Sequence, residues 1–308
     1  MVSMIDNTLI TGSLTLRHRC LGVGLLCFLT LLLSAEKVMA QERTAVQERT
    51  AVQERTMAQD KVMAQEKITA QERTVTNAKM FAAAYSRVQD TYLSPEEYSG
   101  MEMRYISHTI REKDSTRWST LFINEGNIAY GKSRSENGST MSGSYHFQYG
   151  RMYQWQFAEN RLRVKAGGQA EMTAGFIYNT RNGNNPAQAI AMAAVGPLVH
   201  IDYDVRKLTI SYEASCPLFG LTFSPNYGQS YYEIFSEGHY DRNVVPTTIV
   251  STPSIRQTLT VDVPWGRTTW RLGVYGDYRQ QQVNSLKRHV YSSGIIIGIA
   301  TTRKYRTR

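Results

Sequence analysis

Residues 162–178, LRVKAGGQAEMTAGFIY, alternate without a break. Leu162, Val164, Ala166, Gly168, Ala170, Met172, Ala174, Phe176 and Tyr178 are apolar or small, and Arg163, Lys165, Gln169, Glu171 and Thr173 stand between them. Period two is the side-chain period of a strand. Just upstream, YHFQYGRMYQWQF (145–157) sets Tyr145, Phe147, Tyr149, Tyr153, Trp155 and Phe157 at every second position, interrupted once by Arg151. Strands of soluble sandwiches usually run about five or six residues, whereas a tilted strand needs about nine to eleven to cross hydrocarbon. Two long neighbouring strands, each greasy on one side and largely polar on the other, therefore constrain the fold more than any other feature.

The pattern recurs downstream. LTISYEASCPL (208–218), IRQTLTVDV (255–263) and TTWRLGVYGDY (268–278) alternate in the same way, and AENR, DVRK and PWGR lie between such runs as tight turns. Short turns between long strands mean antiparallel neighbours. Strands are predicted at 98–111, 117–130, 141–157, 161–178, 187–203, 208–221, 229–236, 253–263, 268–280 and 288–300. That makes about ten, with eight or twelve as alternatives, and an even number suits a barrel whose ends emerge on one side. Placing all three tight turns on that side turns 219–252 into one long excursion and reduces the count to nine. An unseen strand, or an internal N-terminal segment such as MFAAAYSRVQDTY (80–92), must then supply the difference. The expected fold class is all-β, an antiparallel up-and-down transmembrane β-barrel.

Lipid is the solvent that best suits the greasy faces. Trp155, Phe157, Phe176, Tyr178, Trp265, Trp270 and Tyr278 lie near strand ends, where interfacial girdles form, and a sheet in lipid must close to satisfy its backbone. Near the end of the chain, Gly294, Ile297 and Ile299 fit the loose polar-Gly-x-x-apolar-x-apolar signature of a terminal strand read by barrel-assembly machinery. A buried strand of a soluble sheet would explain Ile295 to Ile297 as well, and a secreted soluble β-protein stays open as an alternative.

Before the strands, Arg17, His18 and Arg19 precede the apolar run LGVGLLCFLTLLLSA and the small residues around Ala40. This reads as a signal peptide over 1–40, cleaved between Ala40 and Gln41. QERTAV-like hexapeptides follow, each with one acid and one base. Six residues advance a helix by about 600°, so their small apolar pairs form no stripe. The block reads as a flexible linker at 41–78, followed by a lead-in segment at 79–97, a barrel at 98–302 and a basic tail at 303–308. The formal charge of +9 would suit nucleic acid in a cytosolic chain. In an exported one it points to outer-membrane lipid and lipopolysaccharide headgroups, with no nucleic-acid partner expected.

Chemistry is harder to find. Metal-ligand spacing and phosphate loops are absent, so no metal and no cofactor are expected. His200 with Asp202, and His239 with Asp241, are the candidate acid–base pairs; hydrogen bonding inside the lumen and a solvated loop explain them equally well. The inward charges Arg163, Lys165, Glu171, Glu213, Arg256, Asp262, Arg271, Asp277 and Arg279 are predicted to line one interior, where they either plug a small barrel or line a polar path.

Several stretches, DTYLSPEEYSG (90–100), GFIYNTRNGNNPAQA (175–189), FSPNYGQSYYEIFSEGHYD (223–241), LTVDVPWGRTTWRLGVYGDY (259–278) and VNSLKRHVYSSGIIIGI (283–299), carry a resemblance. They resemble a Bacteroides-type exported family catalogued as a domain of unknown function (the DUF3316 type). The resemblance implies an outer-membrane β-barrel and brings no catalytic residues. The expectation is a barrel in the outer membrane of a Gram-negative bacterium, structural or a narrow channel for small solutes. A barrel enzyme modifying lipid A or phospholipid at the outer surface is the alternative.

Overall fold

The computed structural model describes residues 71–307, Asp241 and Arg267 excepted. The signal peptide, the Ala40–Gln41 cleavage position and all of the repeat but its last unit lie outside the described residues. The strands are β1 (Gln71–Asp90), β2 (Ser94–Lys113), β3 (Trp118–Ser133), β4 (Ser139–Phe157), β5 (Leu162–Asn179), β6 (Ala187–Val205), β7 (Leu208–Ser215), β8 (Phe219–Phe223), β9 (Val244–Thr248), β10 (Ser254–Trp265), β11 (Thr268–Val283) and β12 (Leu286–Thr307). One short helix, α1 (Tyr231–Phe235), lies between β8 and β9.

Ten strands close the sheet. β1 to β7 pair in sequence, β7 pairs β10, β10 pairs β11, β11 pairs β12, and β12 returns to β1, every pair antiparallel. β8 runs on along β6 beyond β7, and β9 pairs with β8. The break between β7 and β8 has a local cause. Leu198 faces Ser215 and Val195 faces Phe219, so Cys216-Pro217-Leu218 places one extra residue against β6, a β-bulge. Pro217 brings no N–H to the ladder, while Cys216 N donates to Pro197 O at 3.3 Å and Leu218 N to Val195 O at 2.8 Å. A Cβ on Gly196 would fall 2.0 Å from the Cys216 carbonyl oxygen, so the bulge requires glycine there.

Two ends follow from this topology. Gln71, Thr307 and the turns β2–β3, β4–β5, β6–β7 and β10–β11 share the terminal end; the long β8–β9 segment, 224–243, lies at the loop end. Outward side chains form the greasy surface: Met103, Ile128 and Ile295 are 65–67% exposed. The 145–157 run behaves as its pattern dictates, with Tyr145, Tyr149 and Trp155 outward and His146, Gln148 and Met152 buried inside. All four tryptophans of the chain, Trp118, Trp155, Trp265 and Trp270, sit near the terminal end. Tyr85, Tyr130, Tyr178, Tyr278 and Tyr291 lie toward the other. Trp118 and Tyr130 bracket most of β3, about 40 Å of strand, or about 30 Å of depth at a tilt of about 40°, which matches hydrocarbon about 30 Å thick. Arg151, the interruption in the aromatic run, lies over the Trp118 ring at 5.4 Å and donates to Thr120 Oγ1 at 2.8 Å. A cation at the interfacial tryptophan level keeps its head near water.

The structure corrects three sequence expectations. β1 takes in the last repeat unit, Gln71–Thr76, and most of the segment read as linker and lead-in, and it closes the barrel against β12. Residues 229–236, read as a strand, instead hold α1. Ser230 Oγ accepts from Glu233 N at 3.2 Å and Glu233 Oε2 accepts from Ser230 N at 2.7 Å, a reciprocal cap that starts a helix. The stretch read as a basic tail continues β12 through Thr307.

The interior is a packed core rather than an aqueous lumen. Leu121 and Met152 are fully buried and Leu198 is nearly so, within an apolar cluster that includes Ile106, Ile123 and Ile296. Gly150 on β4 makes room for Leu198 of β6, whose Cδ2 would lie 2.4 Å from a Cβ at that position. Side chains fill narrow barrels in this way.

Candidate functional site in the barrel interior

Two polar clusters interrupt that core. The first sits at mid-barrel. Period two on β2 points Glu102 and Arg104 inward beneath outward Met101, Met103 and Tyr105. Arg104 bonds Glu125 of β3 and Asp277 of β11, the latter at 3.0 Å, and its Nε donates to Glu102 Oε1 at 2.8 Å. Arg256 Nη2 and Arg279 Nη2 both reach Asp277 Oδ2. Tyr275 lies under the Arg104 guanidinium at 4.7 Å and donates its hydroxyl to Glu102 Oε1 at 3.0 Å. Three guanidinium ions thus meet three carboxylates in a site that is almost wholly buried. Such charges are tolerable away from water only when paired and hydrogen-bonded.

The second cluster lies toward the terminal end. His200 on β6, Glu213 on β7 and His108 on β2 each stand five residues from the terminal-end limit of their strand, Val205, Leu208 and Lys113. Glu213 Oε2 is 3.0 Å from His108 Nε2 and 3.0 Å from His200 Nδ1, and the two imidazoles stack with centroids 6.1 Å apart. His200 Nε2 meets Asp202 Oδ1 at 3.0 Å; Asp202 is held by Ser211 at 2.6 Å and Lys165 at 3.1 Å. Around them Arg163 grips Asp204, and Arg271 grips its cross-strand neighbour Asp262 with two bonds of 2.6 and 2.7 Å.

Every charge predicted to line the interior points inward here. Arg256, Asp277 and Arg279 join the mid-barrel cluster; Arg163, Lys165, Glu213, Asp262 and Arg271 join the terminal one; Glu171 accepts from Gln169 Nε2 at 3.2 Å. His200 and Asp202 are together and buried, whereas His239 sits exposed in the β8–β9 loop, 3.6 Å from Glu237. Asp241 lies outside the described residues. His200 and His239 lie at opposite ends of the barrel and share no site. Sequence reasoning missed Glu102, Arg104, Glu125 and His108. The signal for the β2 residues was present, because MEMRYISH (101–108) alternates Met101, Met103 and Tyr105 against Glu102, Arg104 and His108. Gly294 faces inward on β12, while Ile297 and Ile299 face outward.

A closed, antiparallel, up-and-down sheet with an exposed apolar surface, aromatic ends and a charged, filled interior defines a β-barrel of the outer-membrane type. No described helix is long and apolar enough to cross a membrane; strands are the crossing elements of this class. The chain belongs to the family described as "Protein of unknown function (DUF3316)", which it matches over residues 25–306. Among curated proteins, none matches it in sequence. Similar solved structures include the outer membrane protease OmpT from Escherichia coli, at 8% identity and a TM-score of 0.40, covering 78% of this chain and 99% of that one. The translocator domain of the autotransporter NalP from Neisseria meningitidis is similar at 11% identity and a TM-score of 0.31, covering 82% and 95%. The transport unit of the autotransporter AIDA-I from Escherichia coli is similar at 6% identity and a TM-score of 0.37, covering 80% and 92%.

Proposed function

We propose that this protein resides in the outer membrane of a Gram-negative cell as a closed, non-conducting barrel that presents its β8–β9 loop at the cell surface. The observation that carries this reading is the mid-barrel cluster. Arg104, Glu125, Arg256 and Asp277 come from four strands, and their ion pairs tie β2 and β3 to β10 and β11 through the interior. A conducting path at this level would have to break buried ion pairs, at several kcal/mol for each ion left without its partner.

The loop end supports the presenting role. Tyr92 Oη donates to Gln229 O at 3.0 Å, Tyr231 Oη donates to Gln188 Oε1 at 3.0 Å, and Asn243 Nδ2 donates to Gln229 Oε1 at 2.7 Å. These bonds hold the loop in one shape, with Tyr227, Tyr232, Phe235 and Tyr240 exposed on it. Export through a cleaved signal peptide, insertion by barrel-assembly machinery reading Gly294, Ile297 and Ile299, and contact with lipopolysaccharide belong to the same reading. Planar-bilayer recording of the purified protein tests it. Incorporation without discrete conductance steps is expected, and steady ohmic steps would replace the plug with a channel.

A further inference from the structure

The structure assigns a binding site for one divalent transition-metal ion, of the zinc class, to His108 Nε2, His200 Nδ1 and Glu213 Oε2 inside the terminal third of the barrel. These atoms lie within 4.8 Å of one another, and among the described residues this group alone converges so. Two imidazoles and one carboxylate form a ligand set that suits zinc and its neighbours; calcium and magnesium prefer six or more oxygens.

Three observations point to a cation. His200 meets Asp202 through Nε2 at 3.0 Å, and Asp202 is itself fixed by Ser211 and Lys165. An imidazole that donates Nε2–H to a carboxylate presents its Nδ1 lone pair to whatever lies opposite, and Glu213 Oε2 lies there at 3.0 Å. A carboxylate behind the ring is also the usual outer support of a ligating histidine. Second, His108 is more than nine-tenths buried, and its Nδ1 has no hydrogen-bond partner. When Nδ1 carries the proton of the neutral ring, the Nε2 lone pair faces Glu213 Oε2 and is matched by a cation held between the two; Nδ1 has no partner in either tautomer.

The third observation is charge. Arg163 is matched by Asp204, Arg271 by Asp262 and Lys165 by Glu112, each at 2.5–2.6 Å. Asp202 and Glu213 are left as two carboxylates without a cation of their own beside the two imidazoles that would serve as neutral ligands. A divalent ion brings that set to neutrality. The Glu112 side chain, which pairs with Lys165 at the edge of the cluster, is one-third exposed on the terminal side.

The test uses the full protein purified from membranes in detergent, stripped with chelator and titrated calorimetrically with Zn²⁺ alone, then with Mg²⁺. One Zn²⁺ per chain and no Mg²⁺ is expected. His108→Ala and His200→Ala should weaken zinc binding by at least about 100-fold, and Asp202→Asn by about 10–100-fold. His239→Ala and His289→Ala, which remove histidines outside the cluster, should leave it unchanged. Glu213→Gln keeps the side chain's shape and hydrogen bonding, so it serves as the ligand variant if an alanine variant does not migrate as a folded barrel; at least about 10-fold weakening is expected. Absence of stoichiometric zinc binding, or binding that survives in the folded ligand variants, overturns the site and leaves two imidazoles bridged by Glu213 through hydrogen bonds.

Discussion

Arg104 on β2 and Asp277 on β11 stand 173 residues apart in the chain, yet their side chains meet at 3.0 Å inside the barrel, with β1 and β12 separating their strands in the sheet. Replacing Arg104 by Ala leaves Glu102, Glu125 and Asp277 facing one another without their shared cation. A loss of about 3–5 kcal/mol is expected, because breaking a buried pair strands a charge. The urea midpoint of the folded band, read by heat-modifiable migration in detergent, should drop accordingly; an unchanged midpoint would mean that water already reaches the cluster.

At the loop end, Asp90 lies five residues past the Tyr85 aromatic level. Burial pushes its carboxyl up from 3.8 to about 6, against the opposing pull of Arg288 and the Tyr92 N–H. The folded state therefore holds the proton more tightly than the unfolded chain does. Stability from this residue is full below about pH 4, falls as pH rises through about 6, and at neutral pH is lower by up to about 3 kcal/mol. Asp90→Asn should raise the unfolding midpoint at pH 7 and leave it unchanged at pH 4. An equal effect at both values would show that the carboxyl is solvated.

Val274 lies on the lipid face of β11, midway between Trp270 and Tyr278. Arginine there should cost about 2–4 kcal/mol, falling to about 0–1 for the same change at the interfacial Trp265. Equilibrium refolding into liposomes measures both. Equal costs would argue that both positions face water.

Ser230→Ala removes one half of the reciprocal cap on α1, a loss of about 1 kcal/mol confined to the loop. Limited proteolysis of intact cells should cleave within 224–243 faster in the variant, with the heat-modifiable barrel band unaltered. If the barrel itself loosens, the loop is structural and not only presented.

Much of the barrel was legible because lipid outside and a packed core inside impose the same period-two rule on every strand. Nine of the ten closing strands coincide with alternating stretches. β1 was legible only in part: Phe81, Tyr85, Ala82 and Ala84 obey the rule and made 80–92 a candidate for the missing strand, but the alanine run and the adjoining repeat hid its start. α1 was hidden by its aromatic residues, although Ser230 and Glu233 carried the cap signature. The interior partners were beyond linear reading, since His108 and Glu213 are 105 positions apart and only barrel closure brings them together. Burial also fills the interior that the sequence left as either plug or polar path, because Leu121, Met152 and Leu198 share the inward faces with the charges.

The orientation of the 145–149 run tests the central claim most directly. With Cys216 replaced by Ser, single cysteines at positions 145 to 149 carry nitroxide labels in the barrel reconstituted into liposomes. Collision with oxygen, which concentrates in acyl chains, should be high at Tyr145, Phe147 and Tyr149 and low at His146 and Gln148, a clean period of two. Uniform oxygen collision, or odd positions relaxed instead by a water-soluble nickel chelate, would contradict an aromatic face that meets lipid.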